Sequence, residues 1–390
     1  MKINKIFRAR SSQYGLTLVE LLVALVLSLA VLIGLSSVYV AAKQSFRFQE
    51  TSGRLQEDAT FALESISRDL RMTGYAGCPG IAKTTVASVD TYFPGSVLSS
   101  GSPENISGPN PMATLVTGEA EIAQQPFTSS NVFRGFDNLP TAMFSNVPTT
   151  TNLTSDSLFF AGGSPNSVSV RTAMADAQAN LTIASDPYGW KDAAANSGVF
   201  NMIVSNCESS SLFKGKVVAN GAMFDIQHGN ALGNSIDSFA SSTQFGVGAI
   251  VMPVEWKFYY VAIRDGAATP SLFRVAFDGN NRRNIEEVVS NVESMQLQYG
   301  ENTDTALGVP TLMVNEWRAT AADVIDWSKV VAVRIGLMMV SAEESTSPDI
   351  TLAVPKLLGE SYTKPTGASA SRLRKEFSTT VVLRNRVKAR

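Results

Sequence analysis

From residue 16 to residue 42 the chain is almost wholly apolar, and Glu20 is the only charge in that run. About 27 residues make an α-helix of roughly 40 Å, enough to cross a hydrocarbon core of ~30 Å with some tilt. Lys2, Lys5, Arg8 and Arg10 precede the run. The positive-inside rule therefore keeps the N-terminus cytoplasmic and exports everything after Lys43. An ordinary secretory signal has a shorter apolar stretch closed by a small-residue cleavage site. Here only Val40-Ala41-Ala42 offers such a site, and weakly. A plain signal anchor is the simple alternative.

Glu20 argues against a plain anchor. A carboxylate at the centre of a membrane helix costs roughly 2.5–3.5 kcal/mol on translocon scales, less near an interface where it can snorkel. Such a charge asks for a partner. The run Gly15-Leu16-Thr17-Leu18-Val19-Glu20-Leu21-Leu22-Val23-Ala24 resembles the class III signal of type IV pilins and of type II secretion pseudopilins. The resemblance implies that a prepilin peptidase cuts after Gly15 and methylates the new N-terminus at Leu16, which stands where the family usually has Phe. It also implies that Glu20 meets such an α-amine on a neighbouring subunit. A charge pair in low dielectric sets register, because breaking it leaves one buried charge unpaired at about 3–5 kcal/mol.

The 390 residues include 44% hydrophobic and 17% charged residues, and the net charge is −2. Without the leader's four basic residues, 28 basic side chains face 34 acidic ones. No concentrated basic surface suggests a nucleic-acid partner. The two cysteines, Cys78 and Cys207, both lie on the exported side. An even count in an oxidising compartment favours a disulfide, with two buried free thiols as the alternative. Two cysteines and the distant His228 are too few ligands for a metal site.

The expected organisation is a leader over residues 1–15, a transmembrane helix over 16–42, its amphipathic continuation over 43–73 and an ectodomain over 74–390. Leu55, Ala59, Ala62, Ile66 and Leu70 recur at three- and four-residue steps, while Arg54, Glu57, Asp58, Glu64, Arg68 and Asp69 fill the other faces. Gly53 and Ser52 form a weak point for a bend. The helix should stop near Thr73-Gly74, ahead of Pro79. Residues 80–150 read as loops with occasional short strands. Strands are expected over 157–161, 180–184, 200–204, 209–219, 222–227, 249–252, 254–263, 271–277, 292–299, 329–340 and 374–384. Residues 286–291 read as a turn or short helix, and 319–327 as a short helix. The fold class is α+β, one long N-terminal helix on a mainly antiparallel sheet.

Further segments narrow the resemblance. They are Phe61-Ala62-Leu63, the run from Arg68-Asp69-Leu70 to Gly77-Cys78, Ile203-Val204-Ser205-Asn206-Cys207, Tyr259-Tyr260-Val261 with Leu272-Phe273-Arg274, Gln298-Tyr299-Gly300, and the run from Val331 to Leu337. In order and spacing they resemble the PilW family of minor pilins. The resemblance implies a low-abundance subunit that joins other minor pilins in the inner membrane, primes fibre assembly on the assembly platform and sits at the pilus tip. Partners would include the major pilin, a large tip-associated adhesin and membrane lipid. The alternatives are a type II secretion pseudopilin, or a signal-anchored periplasmic binding protein or enzyme.

Catalysis finds little support: there is no P-loop, no G-x-S-x-G and no H-E-x-x-H. No cofactor is expected. His228 reads as a surface or capping residue. Asp225, Asn230, Asn234 and Asp237 read as a solvated loop without EF-hand spacing. The basic run Arg372, Arg374, Lys375, Arg384, Arg386, Lys388 and Arg390 reads as a solvated edge strand and tail. A contact with an acidic neighbour in the tip complex is its alternative. Trp256, Tyr259 and Tyr260 read as core.

Overall fold

The structure is a computed structural model that describes residues 17–77, 132–137, 154–206, 210–232, 234, 238–239, 245–264, 266–280, 283–303, 313–344, 354–365 and 367–386. The chain divides into two units, Met1–Arg54 and Leu55–Arg390.

One helix, α1 (Leu18–Leu70), opens the described chain. Thr17 caps it: its Oγ1 accepts from the Glu20 N–H at 3.3 Å, and its carbonyl accepts from Leu21 N–H at 3.2 Å. Through the first unit the helix buries nothing beyond partial cover at Thr51 and Ser52. Its apolar window has a mean hydropathy of 2.8, so it is long and apolar enough to cross a membrane. No break occurs at Gly53.

In the second unit the expected stripe is the buried one: Leu55, Ala59, Ala62, Ile66 and Leu70 all face the core. Asp69 departs from expectation, because it is buried on this same side rather than solvated. The helix ends at Leu70, followed by tightened bonds from Met72 N to Asp69 O and Thr73 N to Leu70 O. Gly74 and Gly77, at φ 68° and 98°, then turn the chain away.

The strands are β1 (Phe133–Phe136), β2 (Ser157–Gly163), β3 (Val168–Thr172), β4 (Leu181–Ile183), β5 (Val199–Ser205), β6 (Ser210–Asn220), β7 (Met223–Gln227) and β8 (Ile250–Ala262). They continue with β9 (Ser271–Phe277), β10 (Arg283–Ser290), β11 (Val292–Glu301), β12 (Glu316–Arg318), β13 (Val330–Val340), β14 (Lys356–Leu357), β15 (Glu360–Ser361) and β16 (Arg374–Val382). Every pairing is antiparallel.

β8 organises the second unit by changing partners along its length. Residues 254–262 pair with β2 and β9, making a sheet in the order β1-β2-β8-β9-β10. Residues 250–253 instead pair with β3 on one side and β5 on the other. Since β3-β4-β7-β6-β5 is also continuous, these strands close with the start of β8 into a six-stranded barrel. Phe200, Met202, Phe213, Ile226, Phe239 and Phe245 belong to the core cluster of this barrel. The expected strands 249–252 and 254–263 are thus one strand. Pro253 is tolerated at the point where the ladder changes partners.

A second sheet has the order β12-β11-β13-β16. The helix residues Leu55 to Leu70 share one core with Phe160, Tyr259, Val261 and Leu272 of the first sheet and Met295, Leu297, Val333 and Ile335 of the second. Trp256, Tyr259 and Tyr260 are core residues, as expected.

Two expected elements are corrected. Residues 286–291 belong mainly to strand β10. Glu286 pairs with Arg274 at 2.6 Å, and Glu287 with Arg264 and Ser271 at 2.9 and 2.8 Å, so both carboxylates bind groups across the ladder. Residues 319–327 form turns, not an α-helix. Asp137 takes the Ala321 and Ala322 N–H groups, and Thr320 and Asp323 bond each other, so side chains outcompete the helical ladder. Of the 80–150 region, only 132–137 lies among the described residues, and it contains β1.

Candidate functional site

Glu20 stands in the first turn of α1, with its side chain exposed. Its backbone serves the Thr17 cap, whereas its carboxylate makes no hydrogen bond or ion pair with the described residues. The surrounding surface is apolar: Leu18, Val19, Leu21, Leu22 and Val23 are each more than half exposed. A carboxylate in such a surface has two ways to lower its energy, water or a cation from another molecule. The second of these is an association between molecules. Gly15 and Leu16, the expected cleavage and methylation positions, lie outside the described residues.

Sequence reasoning missed a second ionic site, at the other end of the helix. Asp69 Oδ1 accepts from Lys257 Nζ at 3.0 Å, while Oδ2 accepts from Tyr259 OH at 2.7 Å and Arg274 at 2.9 Å. Burial alone would raise the Asp69 pKa; Lys257, Tyr259 and Arg274 more than reverse this and hold it below the ordinary carboxylate value. Burial first, then the facing Asp69 charge, pushes the Tyr259 hydroxyl the other way, upward. The cluster binds the last turn of α1 to β8 and β9. One signal was available: Asp69 is three residues after Ile66 and seven after Ala62, which places it on the buried stripe.

The chain leaving this helix end runs beside β2. Gly74 N donates to Ala161 O at 2.8 Å, and Gly163 N donates to Tyr75 O at 2.7 Å. The approach is so close that a Cβ on Gly162 would lie 2.1 Å from Met72 O. Further on, Ser210 Oγ donates to Ala76 O at 2.8 Å, and a Cβ on Gly77 would lie 2.3 Å from Ser205 Cβ. Cys78 and Cys207 lie outside the described residues. Gly77, next to Cys78, and Ser205, two residues before Cys207, are nonetheless in contact.

Other expected polar sites resolve differently. His228 is buried, not at the surface: Nε2 lies 2.9 Å from Ala179 O, and the ring lies tilted against Phe239 with centroids 4.3 Å apart. Asn234 is buried too, its Nδ2 donating to the Lys214 and His228 carbonyls. Asp225 accepts from Thr182 and Asn220, and Asp237 lies outside the described residues. In the basic C-terminal run, Arg374 is not solvated but forms a buried two-point pair with Glu293 at 2.7 and 2.9 Å. Lys388 and Arg390 are beyond the described residues.

Residues 10–36 match the family model described as the prokaryotic N-terminal methylation motif. Residues 258–385 match the model described as Type IV Pilus-assembly protein W. The second match takes in the end of β8, strands β9 and β10 beside it, and the whole four-stranded sheet. Both agree with the resemblance carried by the residues. Among solved structures the chain is similar to a type IV-like pilin from Thermus thermophilus, at 14% identity over 48% of this chain and 85% of that one, with a TM-score of 0.21. No curated protein matches. The methylation motif and the exposed apolar helix fit a membrane anchor.

Proposed function

We propose that the chain is a minor pilin of the type IV pilus, cut between Gly15 and Leu16 and methylated at Leu16. It then primes fibre assembly with other minor pilins and enters the fibre at or near its tip. Before assembly it crosses the inner membrane once, N-terminus in the cytoplasm and ectodomain outside. Its role is structural and non-enzymatic.

The observation that carries this reading is Glu20, a carboxylate with no partner among the described residues, set in an exposed apolar helix that matches the methylation motif. Cleavage after Gly15 creates an α-amine about one turn away along the chain, and the same amine on a neighbouring subunit satisfies Glu20. The match over 258–385 favours the pilus over a type II secretion pseudopilin. Partners under this reading are other minor pilins, the major pilin, prepilin peptidase, the assembly platform and a tip-associated adhesin.

We further propose a Cys78–Cys207 disulfide. Its support is the contact of Gly77 with Ser205 and the bond from Ser210 to Ala76. It would tie the segment leaving α1 to the β5–β6 hairpin of the barrel.

The test of the main reading is the N-terminus of the mature protein. Mass analysis should find it at Leu16 with an added methyl group. A mature chain that keeps Met1 to Gly15 supports a signal-anchored periplasmic protein instead and removes the pilin reading.

A further inference from the structure

Outside the barrel, which has no edges, the described strands leave two long open edges, β10 and β16. An open edge is a row of unpaired N–H and C=O groups, and sheets blunt it with charges, bulges or a short strand. β10 is blunted: it carries Glu286 and Glu287, and its ladder is broken by a bulge between Glu287 and Val289. β12, the other edge of the second sheet, is only three residues long. β16 has none of these protections over Phe377-Ser378-Thr379-Thr380-Val381-Val382. That run is uncharged and rich in β-branched residues, and its pairing with β13 has no register shift.

The ladder shows which groups are open. Leu383 N donates to Val331 O at 2.8 Å, and Ser341 N donates to Leu373 O at 2.8 Å. In an antiparallel pair the bonding direction alternates, so odd-numbered residues from 373 to 383 face β13. The N–H and C=O groups of Ser378, Thr380 and Val382 therefore face away from it. Ser378, Thr380 and Val382 are also exposed.

We propose that β16 accepts an added strand from a different protein chain, with an uncharged β-branched centre and acidic ends. The ends follow from charge: Lys375 lies before the open run and Arg384 after it, while Glu376 is committed to the Leu358 N–H at 2.8 Å. A second copy of this chain does not suit the edge. It carries the same basic residues, Lys375 and Arg384, at the ends of its own run and so does not supply the acidic ends. The proposal stands independently of the fibre reading, since it uses only the ectodomain edge.

The test uses the full-length protein in detergent and a peptide of alternating Val and Thr with two Asp at each end. Amide exchange of Ser378, Thr380 and Val382 should slow by at least about tenfold on binding, with Thr379 and Val381 unchanged. Thr380→Pro removes an outward donor without removing a bond to β13 and should abolish the effect. If that variant proves unfolded, Thr380→Glu places a charge of the same sign as the peptide's ends on the exposed edge and should weaken binding by a similar factor. Unchanged exchange at saturating peptide overturns the proposal. Equal protection by a lysine-ended peptide overturns the assigned partner chemistry. Concentration-dependent protection without peptide, lost in Thr380→Pro, assigns the edge to self-association and overturns it as well.

Discussion

Asp69 Oδ1 accepts a hydrogen bond from Lys257 Nζ at 3.0 Å, across 188 residues of sequence. Asp69 sits in the last turn of α1, where the helix dipole disfavours an anion. Lys257 and Arg274, reaching from β8 and β9, reverse that penalty. The cluster is therefore the point at which the helix is fixed to the sheet by charge as well as by the Ala59, Ala62 and Ile66 packing. Its loss should be felt by the whole second unit.

Asp69→Ala should destabilise the protein by about 3–5 kcal/mol, because Lys257 and Arg274 are left partly buried without their carboxylate. Thermal unfolding in detergent measures this, and an unchanged midpoint would remove the clamp. The pH dependence has a definite sign. The folded pKa lies below the ordinary 3.8, so the stabilisation is complete above that value. It declines as pH falls below 3.8 and is gone once pH passes the folded value. The gap between wild type and Asp69→Asn should close over that acidic window.

Much of this arrangement was legible in the residues, and the failures share a cause. The apolar run, the stripe from Leu55 to Leu70 and strands such as β9 and β13 are local patterns, and local patterns survive folding. Asp69, His228 and Arg374 were assigned to solvent because of their polarity. Each is buried against groups far away in sequence: Lys257, Ala179 and Glu293. Only the tertiary fold brings those partners. The barrel was illegible for the same reason, since its closure depends on one strand, β8, exchanging neighbours midway. Within the candidate assembly site, Glu20 was legible because its peculiarity is local, a charge where none is expected.

Glycine substitutions should have opposite signs at two positions. Gly162→Ala drives a Cβ to 2.1 Å from Met72 O, a backbone atom that cannot rotate away. The expected cost is about 1–3 kcal/mol. Gly53→Ala meets nothing within 4 Å in a helix interior and should stabilise α1 by roughly 0.5–1 kcal/mol. Melting midpoints for the first and amide exchange around residue 53 for the second check the pair. A neutral Gly162→Ala would mean that the helix exit lies farther from β2.

The disulfide is tested by peptide mapping without reductant, which should recover Cys78 joined to Cys207. Replacing both with Ser should lower stability by about 2–5 kcal/mol, the range for a native bridge in an exported domain. Recovery of two alkylated thiols from the native protein would exclude the bond, whatever the variant's stability.

Leader processing has a simple discriminating variant. Gly15→Trp should leave the mass of the full precursor and an N-terminus at Met1. Trimming at the wild-type position despite the bulky residue would show that Gly15 is not read by the peptidase. The variant also controls the Glu20 experiment, because it withholds the α-amine without touching the carboxylate.

Glu20 serves a helix cap through its backbone and is free to serve assembly through its side chain, and substitutions can separate the two. Thr17→Val removes the hydroxyl that accepts from Glu20 N–H at 3.3 Å, at a cost of about 1 kcal/mol to the helix end. Glu20→Gln keeps the cap, the size and the membrane length but deletes the charge. If the carboxylate pairs with a neighbour's amine, Glu20→Gln should insert normally yet reduce surface piliation at least about tenfold, the effect of losing ~1.4 kcal/mol or more from a subunit contact. Thr17→Val should assemble near normally. The reverse ranking would make the capped helix end, rather than the charge, the feature that assembly requires. Piliation by Glu20→Gln at the wild-type level would leave the carboxylate without a role in register.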